Sequence, residues 1–290
     1  MHDNPQAASG LVFALPDHRL IALSGRDAAT FAQAQFMNDI KALEPGHWQW
    51  SGWLTPKGRV IALFALLKFD EENLWLLLPD ADPVTLAAAL QRFVFRSQVT
   101  IALRDDLRVE GVFVAPSQAR GSAFSGDSAH GVELDVGAEG GPRALRVVPV
   151  TTASHDPAWI SRWAAFDLEH GLPRLPASQT DHWTPQQLSL ERLAAFSVKK
   201  GCYPGQEIVA RTHFLGKVKR GLALIEGTAD MRAGADLHQA DNPLGHLVAG
   251  VSAGDRHLAL AVVPLERESS ALSAAGIEVR ELPLREGLAR

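Results

Sequence analysis

Residues 199–220 constrain this chain more than any other stretch. Within them, Gly201-Cys202-Tyr203-Pro204-Gly205 puts two glycines and a proline into five positions. That density forbids a regular helix or a central strand and specifies a shaped loop. The loop holds the chain's only cysteine, Cys202, beside its only tyrosine, Tyr203. Lys199 and Lys200 add positive charge that favours a thiolate at Cys202, and Gln206 and Glu207 supply a neutral and an anionic polar group just after the turn. The same residues also read as a tight connection around an inert, buried cysteine.

Charge sharpens the contrast between this stretch and the rest. The 290-residue chain carries a formal net charge of −5, yet residues 199–220 hold Lys199, Lys200, Arg211, Lys217, Lys219 and Arg220 against Glu207 alone. An acidic chain is not a general polyanion binder, so the basic stretch reads either as a solvated face or as a seat for a local anion such as a glutamate tail. Direct nucleic-acid binding is not expected, because the aromatics do not interleave with these cations as a base-stacking platform requires. A single cysteine excludes an internal disulfide framework and a cluster held by several cysteines of this chain, and it suits a reducing compartment. Residues 1–10 contain no apolar core and no arginine, unlike a secretory or mitochondrial leader. No run approaches the roughly 20 apolar residues of a membrane span. The expected location is the cytoplasm.

The periodicity predicts an α+β fold. Strands are expected at 11–15 and 19–24, then a short helix capped by Asp27, with Phe31, Ala34 and Gln35 at helical spacing. Trp48, Trp50 and Trp53 suggest a half-buried strand. A nearly continuous apolar strand over 60–69 turns through 70–73 into a strand at 74–78. Asp82-Pro83 and Asp156-Pro157 each place an N-cap before a proline at the first helical position. Leu86, Leu90, Phe93 and Val94 form the expected buried face of the first of these helices, and Trp159, Trp163 and Phe166 line one side of the second. Gly171 and Pro173 stop that second helix. Strands are expected at 99–103, 107–114 and 144–150, whereas 117–142, rich in Gly, Ser and Ala, reads as loose connections with little core. From 208 onward, short strands at 208–212, 222–226, 246–251, 258–263 and 277–282 predict a small closed barrel or sandwich.

Lys200-Gly201-Cys202-Tyr203-Pro204-Gly205-Gln206-Glu207, followed by Ala210-Arg211, resembles the signature of the YgfZ family, folate-binding relatives of the glycine-cleavage T-protein. Weaker matches occur in the family's order along the chain: Ser24-Gly25-Arg26-Asp27-Ala28, Leu54-Thr55-Pro56-Lys57-Gly58-Arg59, Phe95-Arg96-Ser97-Gln98-Val99 and Pro185-Gln186-Gln187-Leu188. The resemblance implies a T-protein-like multidomain ring. Its folate-binding region would span 1–205, with two α+β subdomains over roughly 1–115 and 116–205, and an antiparallel β-barrel would follow over 206–290. It also implies a role in maintaining iron–sulfur enzymes, including those that modify tRNA. The partners would be tetrahydrofolate or a related folate, together with iron–sulfur enzymes or assembly factors. No metal site is expected on this chain.

By the same resemblance, Trp163, ahead of Glu169-His170-Gly171-Leu172-Pro173, is a wall of the folate site; on spacing alone it reads as a core tryptophan. His18 stands where the family uses an aromatic residue in the N-terminal hairpin, and it reads equally as a turn residue. Glu169 is a candidate for pterin nitrogens and Arg211 for a carboxylate. Lys200, Tyr203 and Gln206 complete the cofactor-binding set. Cys202 is the candidate catalytic residue, as a nucleophile, redox sensor or transient ligand at the mouth of a central pocket. Aminomethyltransferases carry acidic residues just after the glycine turn, where a carboxylate manages protons. Here that stretch is Arg59-Val60-Ile61-Ala62-Leu63-Phe64, with no acid. An accessory factor is therefore expected, and a tetrahydrofolate-dependent aminomethyltransferase or demethylase is the alternative.

Overall fold

The computed structural model describes residues 10–150, 155–216, 218–240, 242–267 and 270–290. The expectation for the N-terminal residues 1–9, and the place of Lys217 in the basic stretch, lie outside the described residues.

The first unit combines β2 (Arg19–Ser24), α1 (Ala28–Gln35), β3 (His47–Leu54), β4 (Val60–Lys68), β5 (Asn73–Leu78), α2 (Pro83–Gln91) and β6 (Thr100–Leu103). Its antiparallel sheet runs β3-β4-β5-β2-β6. Both faces of this sheet are covered, which explains the unbroken apolar run of β4. Ala62, Phe64 and Leu66 pack toward α1 and α2, while Leu63, Ala65 and Leu67 join the main core on the opposite face. The tryptophan strand β3 is accordingly buried on both faces: Trp48 and Trp50 enter one core and Trp53 the other. It is not the half-exposed strand its pattern suggests, because a second sheet covers what would otherwise be the wet side.

That second sheet has the order β1-β7-β10-β9-β8. It comprises β1 (Phe13–Ala14), β7 (Leu107–Val112), β8 (Ser125–Asp127), β9 (Gly131–Asp135) and β10 (Ala144–Pro149). The stretch 117–142, expected to be loose, thus supplies two strands, and Val132, Leu134 and Val136 are buried in the main core. Small residues mask a strand whose apolar positions alternate.

Helix α3 (Pro157–Glu169) starts as the sequence predicts, with the Asp156 carboxylate accepting from the backbone N–H groups of Ala158 and Trp159. Asp82 likewise caps α2 through the N–H of Thr85 at 2.7 Å. Asp27 differs: its carboxylate makes no cap bond and instead accepts from the Gln98 N–H at 2.6 Å. Phe93, expected on the buried face of α2, is 48% exposed just beyond the end of the helix. Trp163 and Phe166 on α3 enter the main core, whereas Ala165 and Leu168 pack against the outside of the barrel. One helix therefore joins the two sheets to the barrel.

The barrel closes in the order β11-β14-β13-β12-β15-β16 and is antiparallel throughout. Its strands are β11 (Arg220–Gly227), β12 (Asp236–Gln239), β13 (Asn242–Ala253), β14 (Arg256–Pro264), β15 (Leu272–Ala274) and β16 (Ile277–Leu282). The expected α+β class with a C-terminal antiparallel barrel is thus observed. The expected strand at 208–212 is instead helix α4 (Gln206–Phe214), entered from Gly205 in a left-handed conformation. Ile208-Val209 has strand propensity, but the glycine turn directs the backbone into a helix first, and only Val209 is buried. Among the described residues, no helix is long and apolar enough to cross a membrane.

Candidate functional site

The Gly-Cys loop is built by contacts distant in sequence. The Lys200 ammonium donates to three backbone carbonyls: Gln33 at 2.7 Å, Phe36, and Asn38 at 2.9 Å. These lie at the C-terminal end of α1 and just beyond it, where helix carbonyls lack intrahelical partners and a cation is favoured. Lys200 is 5% exposed, and burial pushes its pKa down to about 8. An ammonium has three N–H donors, and all three are engaged. The Tyr203 ring lies 4.9 Å from that ammonium, its hydroxyl donates to Ser197 O, and burial raises its pKa to about 12. Gln206 closes the loop by donating to Lys200 O at 3.0 Å.

Two glycines lock this loop onto the Lys-Gly-Arg turn. Gly205 has φ +79°, and a Cβ there would fall 2.6 Å from Thr55 O and 2.7 Å from Gly58 Cα. Gly58 has φ +70°, and a Cβ on it would meet Ile208 Cβ at 2.8 Å. Only glycine accommodates both the conformation and the approach. Two sequence motifs separated by about 145 positions thus form one structural unit. Cys202 is exposed on it, and Arg211 is exposed on α4.

A large cavity lies elsewhere. It is a cleft of about 630 Å³ between the N-terminal hairpin turn, the segment after β5, α3 and the barrel. Leu15, Pro16, Ile160, Ala164 and Met231 supply apolar wall, and the charged lining sets Arg19, Arg174 and Arg232 against Asp17, Asp80, Asp82 and Asp230. Of the eight site residues expected from the sequence, His18 lines this cleft. Trp163 is 1% exposed and stands behind His18, where the two share a small internal cavity of about 20 Å³. Glu169 faces the barrel and the C-terminal segment, paired with Arg256 at 2.5 Å and Arg285 at 3.3 Å. Lys200, Cys202, Tyr203, Gln206 and Arg211 do not line the cleft. The structure therefore brings His18 and Trp163 together and groups the loop residues separately.

Beneath the cleft runs a buried charge network that the sequence reading missed. Asp167 on α3 bridges Arg143 at 2.7 Å and Arg174 at 2.8 Å. Arg143 is 1% exposed, and its guanidinium lies between the rings of Trp163, at 4.0 Å, and Phe166, at 4.1 Å. The second Arg174 amino group donates to Pro79 O at 2.7 Å. Burial, reinforced by Arg174 and Arg143, holds the His18 pKa well below its ordinary value, so the imidazole is neutral near pH 7. Asp80 behaves in the opposite sense: burial raises its carboxyl to about 6 despite Arg174. Asp80 and Arg174, each next to a proline within the turns at 79–83 and 173–176, were the available signals, but such residues are too common in turns to single out.

Comparison with known proteins gives a consistent result. The chain is 30% identical over 276 residues to the tRNA-modifying protein YgfZ of Klebsiella pneumoniae (strain 342), covering 86% of this chain and 83% of that one. It is 32% identical over 249 residues to the tRNA-modifying protein YgfZ of Serratia proteamaculans (strain 568), covering 78% of this chain and 74% of that one. No family model matches. The fold is similar to the crystal structure of glycine cleavage system aminomethyltransferase T from Bartonella henselae, with a TM-score of 0.74 over 97% of this chain and 88% of that one at 16% identity.

Proposed function

Because the chain belongs to the YgfZ family of tRNA-modifying proteins, we propose that it is a cytoplasmic folate-binding accessory protein that supports assembly or repair of iron–sulfur enzymes, including tRNA-modifying ones. The observation that carries the folate reading is the cleft of about 630 Å³ between the sheets and the barrel. Its volume suits a drug-sized ligand, and its lining combines apolar wall with a few polar groups. A folate has a flat ring with paired N–H donors and an anionic tail. The apolar walls, the cleft's aspartates and the exposed cations Arg19 and Arg232 match these features in kind. His18 is the candidate shared with the sequence reading, and Trp163 backs it from the core.

The Gly-Cys loop serves a different purpose in this reading. It presents the exposed Cys202 and the exposed Arg211 of α4 to a partner enzyme, away from the folate. Strand β4, where an aminomethyltransferase carries acid, is apolar and buried along nearly its whole length, which supports an accessory role over methylamine transfer.

The test is a bacterial strain lacking its own family member, supplied with this chain or with its Cys202→Ala variant. The readout is 2-methylthio modification of tRNA by mass spectrometry. Rescue by the wild type supports the role, and loss of rescue in the variant places Cys202 in it. Absence of rescue by soluble wild-type protein overturns the reading.

A further inference from the structure

The folate reading leaves the end of the basic stretch unused. Lys219 and Arg220, where β11 begins, line a separate pocket of about 350 Å³ with Arg59, Thr184, Gln187 and Thr212. Segments far apart in the chain meet there: the turn after β3, the loop at 184–187, and the end of α4 with the start of β11. Arg59 directly follows Gly58, whose close approach to Gly205 holds the turn against the loop that carries the exposed Cys202. Among the described residues, no carboxylate lines this pocket. The cleft, by contrast, balances its arginines with aspartates. The Arg59 guanidinium is anchored on one side only. Its Nη1 donates to His182 O at 2.8 Å and to Gln187 Oε1 at 3.1 Å, which fixes the plane of the group and leaves the Nε–H and Nη2 edge uncommitted. Arg220 is anchored in the same manner, its Nη1 donating to Leu244 O at 3.3 Å. Lys219 is exposed.

We propose that this pocket is a binding site for the terminal phosphate of a phosphate-bearing ligand, held by the Arg59 fork and by the charges of Lys219 and Arg220. The site is separate from the cleft and does not depend on the folate reading. Cations of one sign gathered in one pocket repel one another and raise the local concentration of anions. An anion that sits among them recovers that cost. The Nε–H and Nη2 edge of a guanidinium matches two oxygens of a phosphate, and a plane already fixed by hydrogen bonds lowers the ordering cost of that contact. The threonine hydroxyls and the Lys219 ammonium supply further donors. A carboxylate brings one charge and a planar oxygen pair, whereas a terminal phosphate brings nearly two charges at neutral pH and a tetrahedron of oxygens. Cations delivered by separate segments suit the second better than the first. No aromatic side chain lines the pocket among the described residues, so it offers no stacking surface for a base and reads the phosphate alone.

The experiment titrates the full chain with inorganic phosphate at low salt, read by phosphorus NMR, and with glutamate as the carboxylate comparison. The wild type should bind phosphate saturably and at least about tenfold more tightly than glutamate. Arg59→Lys keeps the charge but loses the fork, and should bind phosphate about tenfold more weakly. Lys219→Gln should lose about threefold or more, and Lys199→Gln, outside the pocket, should bind as the wild type does. Each variant is checked for native circular dichroism. Arg59 also ties the 182–187 segment, so the exposed Lys219 carries the test if Arg59→Lys does not fold. A short oligoribonucleotide with and without a 5′-phosphate separates the sources of the group. Binding of the phosphorylated form about tenfold tighter than inorganic phosphate assigns the site to an RNA end, and equal or weaker binding assigns it to a small phosphorylated compound. Absence of saturable phosphate binding by folded wild type, glutamate bound equally well, or wild-type affinity in both Arg59→Lys and Lys219→Gln overturns the site.

Discussion

Replacing Lys200 with Met should destabilise the protein even though the side chain lies in the loop that carries the sole cysteine. Met keeps most of the aliphatic stem but removes the ammonium that joins Gln33 O, Phe36 O and Asn38 O. Hydrogen bonds to a charged donor contribute about 1.5–3 kcal/mol each. Against them stands the burial cost that lowers the Lys200 pKa from 10.5 to about 8, a difference worth about 3 kcal/mol. Three bonds outweigh that cost and leave a net loss of about 3 kcal/mol in the variant. For a chain of this size the unfolding midpoint should fall by about 5–10 °C. The assay is urea and thermal unfolding of wild type, Lys200→Met and Lys199→Met. Lys199 is exposed, and its substitution should stay within about 0.5 kcal/mol of wild type. Equal stability of Lys200→Met and wild type would refute the reasoning and free Lys200 for a role in ligand binding. A loss confined to Lys200→Met would show that the lysine of the signature holds the loop to α1.

Two other outcomes follow from the same geometry. Asp80 has a folded-state pKa of about 6 against an ordinary 3.8, so the native protein binds this proton more tightly than the unfolded chain does. Its contribution to stability is fully present below about pH 4 and is lost as the pH rises through about 6. Asp80→Asn should therefore gain up to about 3 kcal/mol over wild type at pH 7.5 and nothing at pH 4. Urea titrations at both values check this, and a pH-independent difference would assign the effect to packing. Arg174, Asp167 and Asp17 are the other charged groups acting on this carboxyl, so the same titrations in Asp80→Ala control for them. Cys202 is exposed and should react stoichiometrically with iodoacetamide in the native state; a requirement for denaturant would show that the thiol is sheltered.

Much of this architecture was legible along the chain because its signals are local. The Asp-Pro starts of α2 and α3, the apolar run of β4 and the turn-spaced strands of the barrel each depend on residues within a few positions of one another. The Gly-Cys signature was equally visible, and with it the family. Legibility failed where a local signal competed with a neighbour in space. Ile208-Val209 reads as strand, yet the left-handed Gly205 starts a helix there. Trp48 and Trp50 read as one face of a half-wet strand until a second sheet covers them.

The sequence by itself determined the class of fold and the loop at 201–205, because turn chemistry and periodicity are encoded in adjacent residues, whereas the need for glycine at Gly58 and Gly205 comes from the close approach of two distant segments. Only the tertiary structure decided what the charged groups do. Lys200 reaches carbonyls more than 160 positions away, and Arg143, Asp167 and Arg174 meet beneath a cleft whose walls come from separated segments. Whether such a side chain is a ligand-binding group or a structural tie depends on the partners that folding delivers to it, since the dielectric and the donors around a charge belong to the packed chain and not to its neighbours in sequence.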